Sequence, residues 1–216
     1  MSNYIPYGRQ TINQTDIDAV VDVLQSDWLT QGPVTPKFET AIAKYCKASY
    51  AVAMNSGTAA LHLSCLALGL GSGDQLWTTP NTFVASANCA LYCGASVDFV
   101  DIDKQSYCID MVALEEKLRL AKIQKQLPKV IVPVDFAGQS CDMQTLKKLS
   151  DEYGFYILED ACHAFGARYY EKPVGSCQYS DISVFSFHPV KSITSGEGGA
   201  ITNNSLDLSS KIRQLL

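Results

Sequence analysis

A single lysine, Lys191, lies in the stretch FSFHPVKSITSGEGGAI, which covers residues 185–201. No carboxylate precedes it within five residues, and an apolar, strand-like run comes just before it. A lysine without a neighbouring acid is commonly a solvated surface residue. The alternative is an amine whose pKa is lowered by apolar surroundings, because burial disfavours the charged form. Since a neutral amine can form a Schiff base with an aldehyde, Lys191 is a candidate catalytic residue.

Strand-like and helical patterns alternate from residue 50 onward. The predicted strands are 50–54, 75–79, 96–100, 129–134 and 155–159, and the predicted helices between them are 58–69, 83–93, 110–125 and 142–153. Two helices, with N-caps predicted at Thr15 and Thr35, precede this region; short strands and a final helical pattern follow it. This order predicts one α/β domain, a three-layer αβα arrangement with a mainly parallel sheet.

Several chemically capable residues follow the predicted strands. In an open parallel sheet, ligands bind beyond the carboxyl ends of the strands, so these residues are expected to converge at one edge. In chain order they are Ser56, Gly57, Thr58, Phe83, Asp160, His163, Ser186 and Lys191.

Together these residue types match one ligand, a flat, aromatic and phosphorylated aldehyde, which is pyridoxal phosphate. The helix that Ser56 opens offers free N–H groups and a dipole that favour a phosphate, and Ser186 offers a further donor. Phe83 could stack on the ring. Asp160 could keep the pyridine nitrogen protonated, and Lys191 could bind the aldehyde.

Each residue also has a structural interpretation when it is taken alone. Ser56 could be only an N-cap, and Asp160 could cap the turn that follows its strand. Phe83 could belong to the core, His163 could be a structural histidine, and Lys191 could be a surface lysine. The cofactor prediction therefore depends on their convergence.

The composition narrows the possible functions. The 216 residues are 47% hydrophobic and 18% charged, as in ordinary soluble globular proteins. A net charge of −5 gives no basic surface for nucleic acid or for an anionic membrane. Residues 82–100, the most apolar long stretch, are interrupted by polar residues, and the first thirty residues are charged, so neither a membrane span nor a signal peptide is predicted.

The eight cysteines are scattered and form no CxxC pair, and the chain has only three histidines. Metal sites need ligands at short, paired spacing, so we predict no metal site. Free thiols packed in apolar patterns are typical of a cytoplasmic protein.

A nicotinamide-dependent nucleotide-sugar enzyme is a weaker alternative. The glycine-rich stretch GLGSGD, residues 69–74, follows a helix and lacks the GxGxxG spacing of a dinucleotide site. Neither a GxxxxGK[ST] phosphate loop nor a GxSxG nucleophile motif occurs.

Four stretches, in order along the chain, resemble the DegT/DnrJ/EryC1/StrS family of pyridoxal-phosphate sugar aminotransferases. They are NSGTAALHL, TTPNTFVASAN, ILEDACHAFGA, and FSFHPVK followed by GEGGA. The resemblance implies the aspartate-aminotransferase fold, fold type I, and a homodimer with shared active sites. It also implies that residues 1–216 are the large, cofactor-binding domain, truncated before a small C-terminal domain. A non-catalytic homologue that binds the cofactor or a partner without turnover is therefore the alternative.

The resemblance assigns roles to individual residues. It implies that Lys191 is the Schiff-base lysine, that Asp160 pairs with the pyridine nitrogen, and that His163 lies beside the ring; these are the predicted catalytic residues. The predicted cofactor-binding residues are Ser56, Gly57, Thr58, Phe83, Asp160, His163, Ser186 and Lys191. The predicted substrate-binding residues are Tyr7, Asp27, Trp28, Leu29, Thr30, Gly57 and Ser186.

Within the family, His163 and the FSFHPVK pattern resemble the pseudaminic-acid branch. That branch transfers an amino group from glutamate to C4 of a UDP-4-keto-6-deoxy-N-acetylhexosamine, and both are the implied substrates. Cys162 stands where that branch has serine, and residues 57–59 read Gly-Thr-Ala where it often has Ala-Thr-Ser. Lys191, in place of the histidine of the dehydratase branch, favours transamination.

Overall fold

A computed structural model describes residues 5, 6 and 8–216 of the chain. The helices are α1 Gln14–Leu24, α2 Val34–Cys46, α3 Gly57–Ala67, α4 Ala85–Tyr92, α5 Met111–Gln124, α6 Met143–Tyr153 and α7 Leu206–Gln214. The strands are β1 Tyr50–Met54, β2 Gln75–Thr78, β3 Ser96–Phe99, β4 Val130–Ile131, β5 Tyr156–Asp160, β6 Arg168–Tyr169, β7 Lys172–Pro173, β8 Ile182–Ser186 and β9 Gly199–Asn203.

Seven of these strands form one sheet in the order β1-β9-β8-β5-β4-β2-β3. Strands β3, β2, β4, β5 and β8 pair in parallel, whereas β9 runs antiparallel to both of its neighbours, β1 and β8. The short strands β6 and β7 form a separate hairpin. The prediction of a mainly parallel sheet is confirmed.

Helices cover both faces of the sheet. Successive residues of a strand face opposite sides. Leu158 belongs to an apolar cluster that includes residues of α3, α4 and α7, whereas Ile157 belongs to a second cluster that includes residues of α5 and α6. In β2, Leu76 likewise belongs to the first of these clusters and Trp77 to the second. Both faces are therefore apolar, as expected for a parallel sheet between two helical layers, and the αβα prediction is confirmed.

Strand β4 is shorter than the predicted strand 129–134. Pro133 has no N–H to donate, so regular pairing ends before it. A single bridge between Val134 and Asp160 continues the alignment with β5. This bridge brings the residues after β4 beside the end of β5.

The predicted N-caps of the first two helices are wrong. Helix α1 begins after Asn13, whose side chain accepts a hydrogen bond from the backbone N–H of Asp16, so Thr15 lies inside the helix. Helix α2 begins after Pro33 without a side-chain cap, so Thr35 lies inside it as well.

No helix among the described residues has the length and apolar character needed to cross a membrane. Likewise, the described part of the chain contains no group of three or more His, Cys, Asp or Glu side chains placed to hold a metal ion. All eight cysteines are free thiols.

Candidate active site

A cavity of about 400 Å³ lies at the carboxyl ends of β5 and β8, next to the start of α3. All eight residues predicted to bind the cofactor line it: Ser56, Gly57, Thr58, Phe83, Asp160, His163, Ser186 and Lys191. Residues that the sequence analysis did not assign also line it, including Asp135, Phe136, His188 and Glu197. The convergence on which the cofactor prediction depends is therefore present.

The start of α3 forms one wall of the cavity. The Ser56 hydroxyl caps the helix by accepting a hydrogen bond from the backbone N–H of Ala59 at 3.1 Å. The first N–H groups of a helix have no partner within the helix, so those of Gly57 and Thr58 are available to an anion. A Cβ on Gly57 would stand 3.0 Å from the Ser186 Cβ and 3.1 Å from Cys162 Sγ, so the glycine avoids two tight contacts in this corner.

Gly199 of β9 supports the same wall from behind. A Cβ at this position would lie 2.4 Å from both the carbonyl carbon and the carbonyl oxygen of Ser56, which is too close for any real contact. The absence of a side chain at Gly199 therefore lets β9 pack directly against the loop that opens α3.

We expect Gly199→Ala to destabilise the fold by about 1–3 kcal/mol, the usual cost of overpacking a close contact. Urea unfolding measures this difference. Gly71→Ala is the matched control, because a Cβ on Gly71 meets nothing within 4 Å. Equal stability of the two variants would contradict the close packing of β9 against Ser56.

Asp160 is buried at the end of β5 and is held by two hydrogen bonds. The Ser86 hydroxyl donates to Asp160 Oδ2 at 2.5 Å, and the backbone N–H of Cys162 donates to Oδ1 at 3.2 Å. Ser86 also lies 2.8 Å from the Thr82 hydroxyl. These contacts fix the orientation of a carboxylate that lines the cavity, as a partner of a pyridine nitrogen requires.

The surroundings of Lys191 differ from those inferred from the sequence. The chain turns after β8, where the backbone N–H of Lys191 donates to the carbonyl of His188 at 2.9 Å, and the side chain is only half-buried. The cavity that it lines also contains Asp160 and Glu197. The expected enclosure by apolar strands is therefore absent, because Lys191 lies beyond the end of the strand.

His163 lies close enough to Lys191 and Asp160 to respond to both charges. Burial and the positive charge of Lys191 lower the pKa of His163 below its ordinary value of 6.5, and Asp160 opposes this shift. Burial raises the pKa of the neighbouring Cys162 thiol well above its ordinary value, and Asp160 adds to this effect. His163 is therefore a neutral hydrogen-bonding group near pH 7, and Cys162 is an unreactive thiol.

Glu159, which precedes Asp160, is buried and is not among the residues lining the cavity. Hydroxyl groups of Ser180 and Ser183 donate to Glu159 Oε2. Burial raises the pKa of this carboxyl above its ordinary value of 4.5. Because the folded state then binds the proton more tightly than the unfolded state, stability present at low pH is lost as the pH rises from about 4.5 through the raised pKa.

We therefore expect Glu159→Gln to gain stability relative to the unmodified protein between pH 5 and pH 8. Each unit of pKa shift is worth about 1.4 kcal/mol. Urea unfolding at both pH values measures the difference, with the exposed Glu152→Gln as control. A stability difference that does not change with pH would contradict the burial of an acid at this position.

The predicted substrate-binding residues divide into three groups. Gly57 and Ser186 line the cavity. Residues 27–30 form an exposed loop after α1 and are not among the residues lining it. Tyr7 lies outside the described residues. The structure therefore does not bring residues 27–30 to the cavity of the same chain.

Sequence reasoning missed Ser86 and Asp135. Ser86 lies in the first turn of α4, and nothing in the sequence around it distinguishes it from an ordinary small residue of a helix. Asp135 follows the interrupted strand β4, and its position after a predicted strand end was the only available signal. Neither contact with the Asp160 region could be inferred without the strand order.

The sequence profile of the DegT/DnrJ/EryC1/StrS aminotransferase family matches residues 10–216. The chain belongs to this family. The family prediction made from the four sequence stretches is thus confirmed.

Two relatives of this family member are similar over nearly all of its length. The UDP-4-amino-4,6-dideoxy-N-acetyl-beta-L-altrosamine transaminase of Campylobacter jejuni is 44% identical over 211 residues, which are 98% of this chain and 54% of the relative. The Helicobacter pylori aminotransferase PseC, involved in pseudoaminic acid biosynthesis, has a structure that matches with a TM-score of 0.87 at 36% identity. That match covers 96% of this chain and 54% of PseC.

The PLP form of Spr1654 from Streptococcus pneumoniae matches with a TM-score of 0.86 at 30% identity, over 98% of this chain and 57% of Spr1654. Spr1654 therefore binds pyridoxal phosphate, which is the cofactor predicted from the sequence of this chain. The chain spans about half the length of the curated relatives that it matches.

Proposed function

We propose that this protein is a pyridoxal-phosphate-dependent nucleotide-sugar aminotransferase. It transfers an amino group from glutamate to C4 of a UDP-4-keto-6-deoxy-N-acetylhexosamine. The observation that carries the proposal is the placement of Lys191 and Asp160 on one cavity whose other wall is the start of α3. The named activity of the Campylobacter jejuni relative supports the choice of sugar.

The residues present fit the cofactor. Gly57 and Thr58 offer N–H groups, and Ser186 a hydroxyl, for the phosphate, in a corner that a Cβ on residue 57 would fill. Phe83, whose side chain is 69% exposed, is free to stack on a ring in the cavity. Asp160 would accept the hydrogen bond of the pyridine nitrogen. When bound, pyridoxal phosphate supplies an aldehyde that accepts the amino group and a ring that withdraws electrons.

Lys191 would have two tasks. Its amine would tether the aldehyde of the cofactor and, when a substrate amine displaces it, would move a proton as a general acid–base. His163 would hydrogen-bond beside the ring as a neutral group, because its lowered pKa avoids a second positive charge next to Lys191.

The sugar would be held partly by the N-terminal segment, through Tyr7 and the loop from Asp27 to Thr30. In the described structure Trp28 and Leu29 are 60% and 67% exposed, and α1 contains no buried residue. A homodimer with shared active sites accounts for both facts, since the loop of one subunit would reach the cavity of the other.

Sedimentation equilibrium tests the dimer, and a monomer at micromolar concentration would contradict this part of the proposal.

The activity is tested by incubating the purified protein with pyridoxal phosphate, glutamate and the UDP-4-keto-6-deoxy-N-acetylhexosamine. Formation of the 4-amino sugar, detected by mass spectrometry, supports the proposal. Bound cofactor without amine product would support instead the non-catalytic homologue, for which the half-length match to the relatives is the motivating observation.

A further inference from the structure

The segment that joins β8 to β9, residues 188–197, carries Lys191 and is called here the Lys191 loop. The regular pairing of the two strands ends at Ser186 and Gly199. One further backbone hydrogen bond, from the N–H of Phe187 to the carbonyl of Gly198 at 2.9 Å, closes the base of the loop. Every atom of Lys191 is therefore positioned by this loop and not by a strand.

The Thr194 hydroxyl connects the Lys191 loop to the end of β8. It donates a hydrogen bond to the carbonyl of Phe187 at 2.8 Å and accepts one from the backbone N–H of Gly196 at 3.0 Å. The backbone N–H of Ser195 donates to the same carbonyl at 3.1 Å. Since a hydroxyl has a single donor hydrogen, Thr194 has committed it to this connection.

Phe187 is a rigid attachment point for these hydrogen bonds. Its side chain is buried, and its ring makes edge-to-face contacts with the rings of Phe38 at 5.4 Å and Phe165 at 5.6 Å. A loop that is attached to Phe187 through Thr194 leaves only residues 188–193 between the two attachment points. A shorter free segment has fewer conformations, so the position of Lys191 is better defined.

Packing contributes little to the position of this segment. Val190 and Ile193, the apolar side chains on either side of Lys191, are both exposed, and Lys191 itself is half-buried. Hydrogen bonds at the base of the loop must therefore do what a core would do elsewhere. A group held near its reactive position loses less entropy when it forms a bond, so this support favours a bond to the Lys191 amine.

We propose that Thr194 is a positioning residue for Lys191, whose hydroxyl, by attaching the Lys191 loop to Phe187, holds the lysine amine where the cofactor aldehyde binds. This inference rests on the proposed function. Thr194 is not among the residues lining the cavity, so its effect is transmitted through Lys191.

The test compares the affinity for pyridoxal phosphate with that for pyridoxamine phosphate, which carries an amine in place of the aldehyde. Each is titrated by calorimetry into purified protein from which bound cofactor has been removed by dialysis. The two compounds share the ring and the phosphate, but only the aldehyde can form a Schiff base with a lysine. The ratio of the two affinities therefore isolates the bond to Lys191.

We expect Thr194→Val, which keeps the shape of the side chain without the hydroxyl, to lower this ratio about tenfold, the effect of losing hydrogen bonds of ordinary strength. Thr194→Ser keeps the hydroxyl and should keep most of the ratio. Thr40→Val is the matched control, because it removes a hydroxyl that donates to the Pro36 carbonyl outside the cavity. If Thr194→Val does not fold, as judged by thermal unfolding, Thr194→Ala replaces it.

Hydrogen exchange gives a second readout, on the protein without cofactor. In Thr194→Val the N–H of Gly196 loses its acceptor, so a peptide covering the Lys191 loop should exchange faster than in the unmodified protein. Thr194→Ser should restore the slower exchange. Equal exchange in all three proteins would show that the hydroxyl does not hold the loop, and would overturn the inference.

Three results of the titrations would also overturn it. The first is an unchanged ratio in Thr194→Val or Thr194→Ala. The second is an equal fall in both affinities, because the change would then have altered the cavity as a whole. The third is an equal loss in Thr194→Ser and Thr194→Val, since the serine keeps the hydroxyl. A ratio in the unmodified protein no higher than that in Lys191→Ala would instead contradict the proposed function.

Discussion

Lys191→Ala is expected to abolish amine transfer, with a loss of at least about 10⁴-fold, the upper range for a single general acid–base group. The loss should reach this limit because the same amine would both tether the cofactor and move the proton. The rate of 4-amino sugar formation measures it. Binding of the UDP-sugar should change little, since the proposed sugar contacts lie elsewhere.

The matched control for this variant is Lys104→Ala, which removes an exposed lysine outside the cavity and should retain full activity. Lys191→Arg keeps a positive charge at this position but cannot form the Schiff base, because a guanidinium stays protonated. This variant therefore tests whether the charge alone is sufficient for activity. Turnover within tenfold of the unmodified rate in either Lys191 variant would contradict the catalytic assignment.

Asp160→Asn is expected to reduce turnover by about 10²–10³-fold. Removing one partner of a buried charge pair costs about 3–5 kcal/mol, and each 1.4 kcal/mol is a factor of ten. The amide keeps one oxygen, which can accept from the Ser86 hydroxyl while the hydrogen bond from the Cys162 N–H is lost, so thermal unfolding checks that the variant folds while the ring nitrogen loses its charged partner. Single-turnover kinetics with glutamate measures the effect on the chemical step.

Two comparisons sharpen this prediction. Asp181→Asn removes a carboxyl elsewhere in the chain and should leave the rate unchanged. Ser86→Ala keeps Asp160 but frees its Oδ2, so we expect an intermediate loss. An Asp160→Asn rate equal to that of Asp181→Asn would show that the ring nitrogen does not depend on this carboxylate.

The sequence was sufficient to predict the edge of the sheet at which the site lies. Buried parallel strands are continuous apolar runs, and the residues after them must lie at a common edge. Ser56, Asp160 and Ser186 could be placed there without knowledge of the strand order, because each follows a recognisable strand. The eight residues predicted to bind the cofactor therefore line one cavity in the structure.

Contacts between distant segments could not be predicted in this way. The hydrogen bond from Ser86 to Asp160 and the neighbourhood of Asp135 depend on the pairing of β4 with β5, which periodicity does not encode. The half-buried position of Lys191 depends on the turn after β8. The caps of α1 and α2 were predicted incorrectly because the N-cap residues are Asn13 and Pro33. Each lies two positions before the threonine that was predicted as the cap.

The most direct test of the central claim is to locate the covalent attachment of the cofactor. The purified protein is incubated with pyridoxal phosphate, reduced with borohydride, digested and analysed by mass spectrometry. The account predicts one pyridoxyl adduct per chain, on Lys191. An adduct confined to another lysine, or no adduct at saturating cofactor, would contradict it.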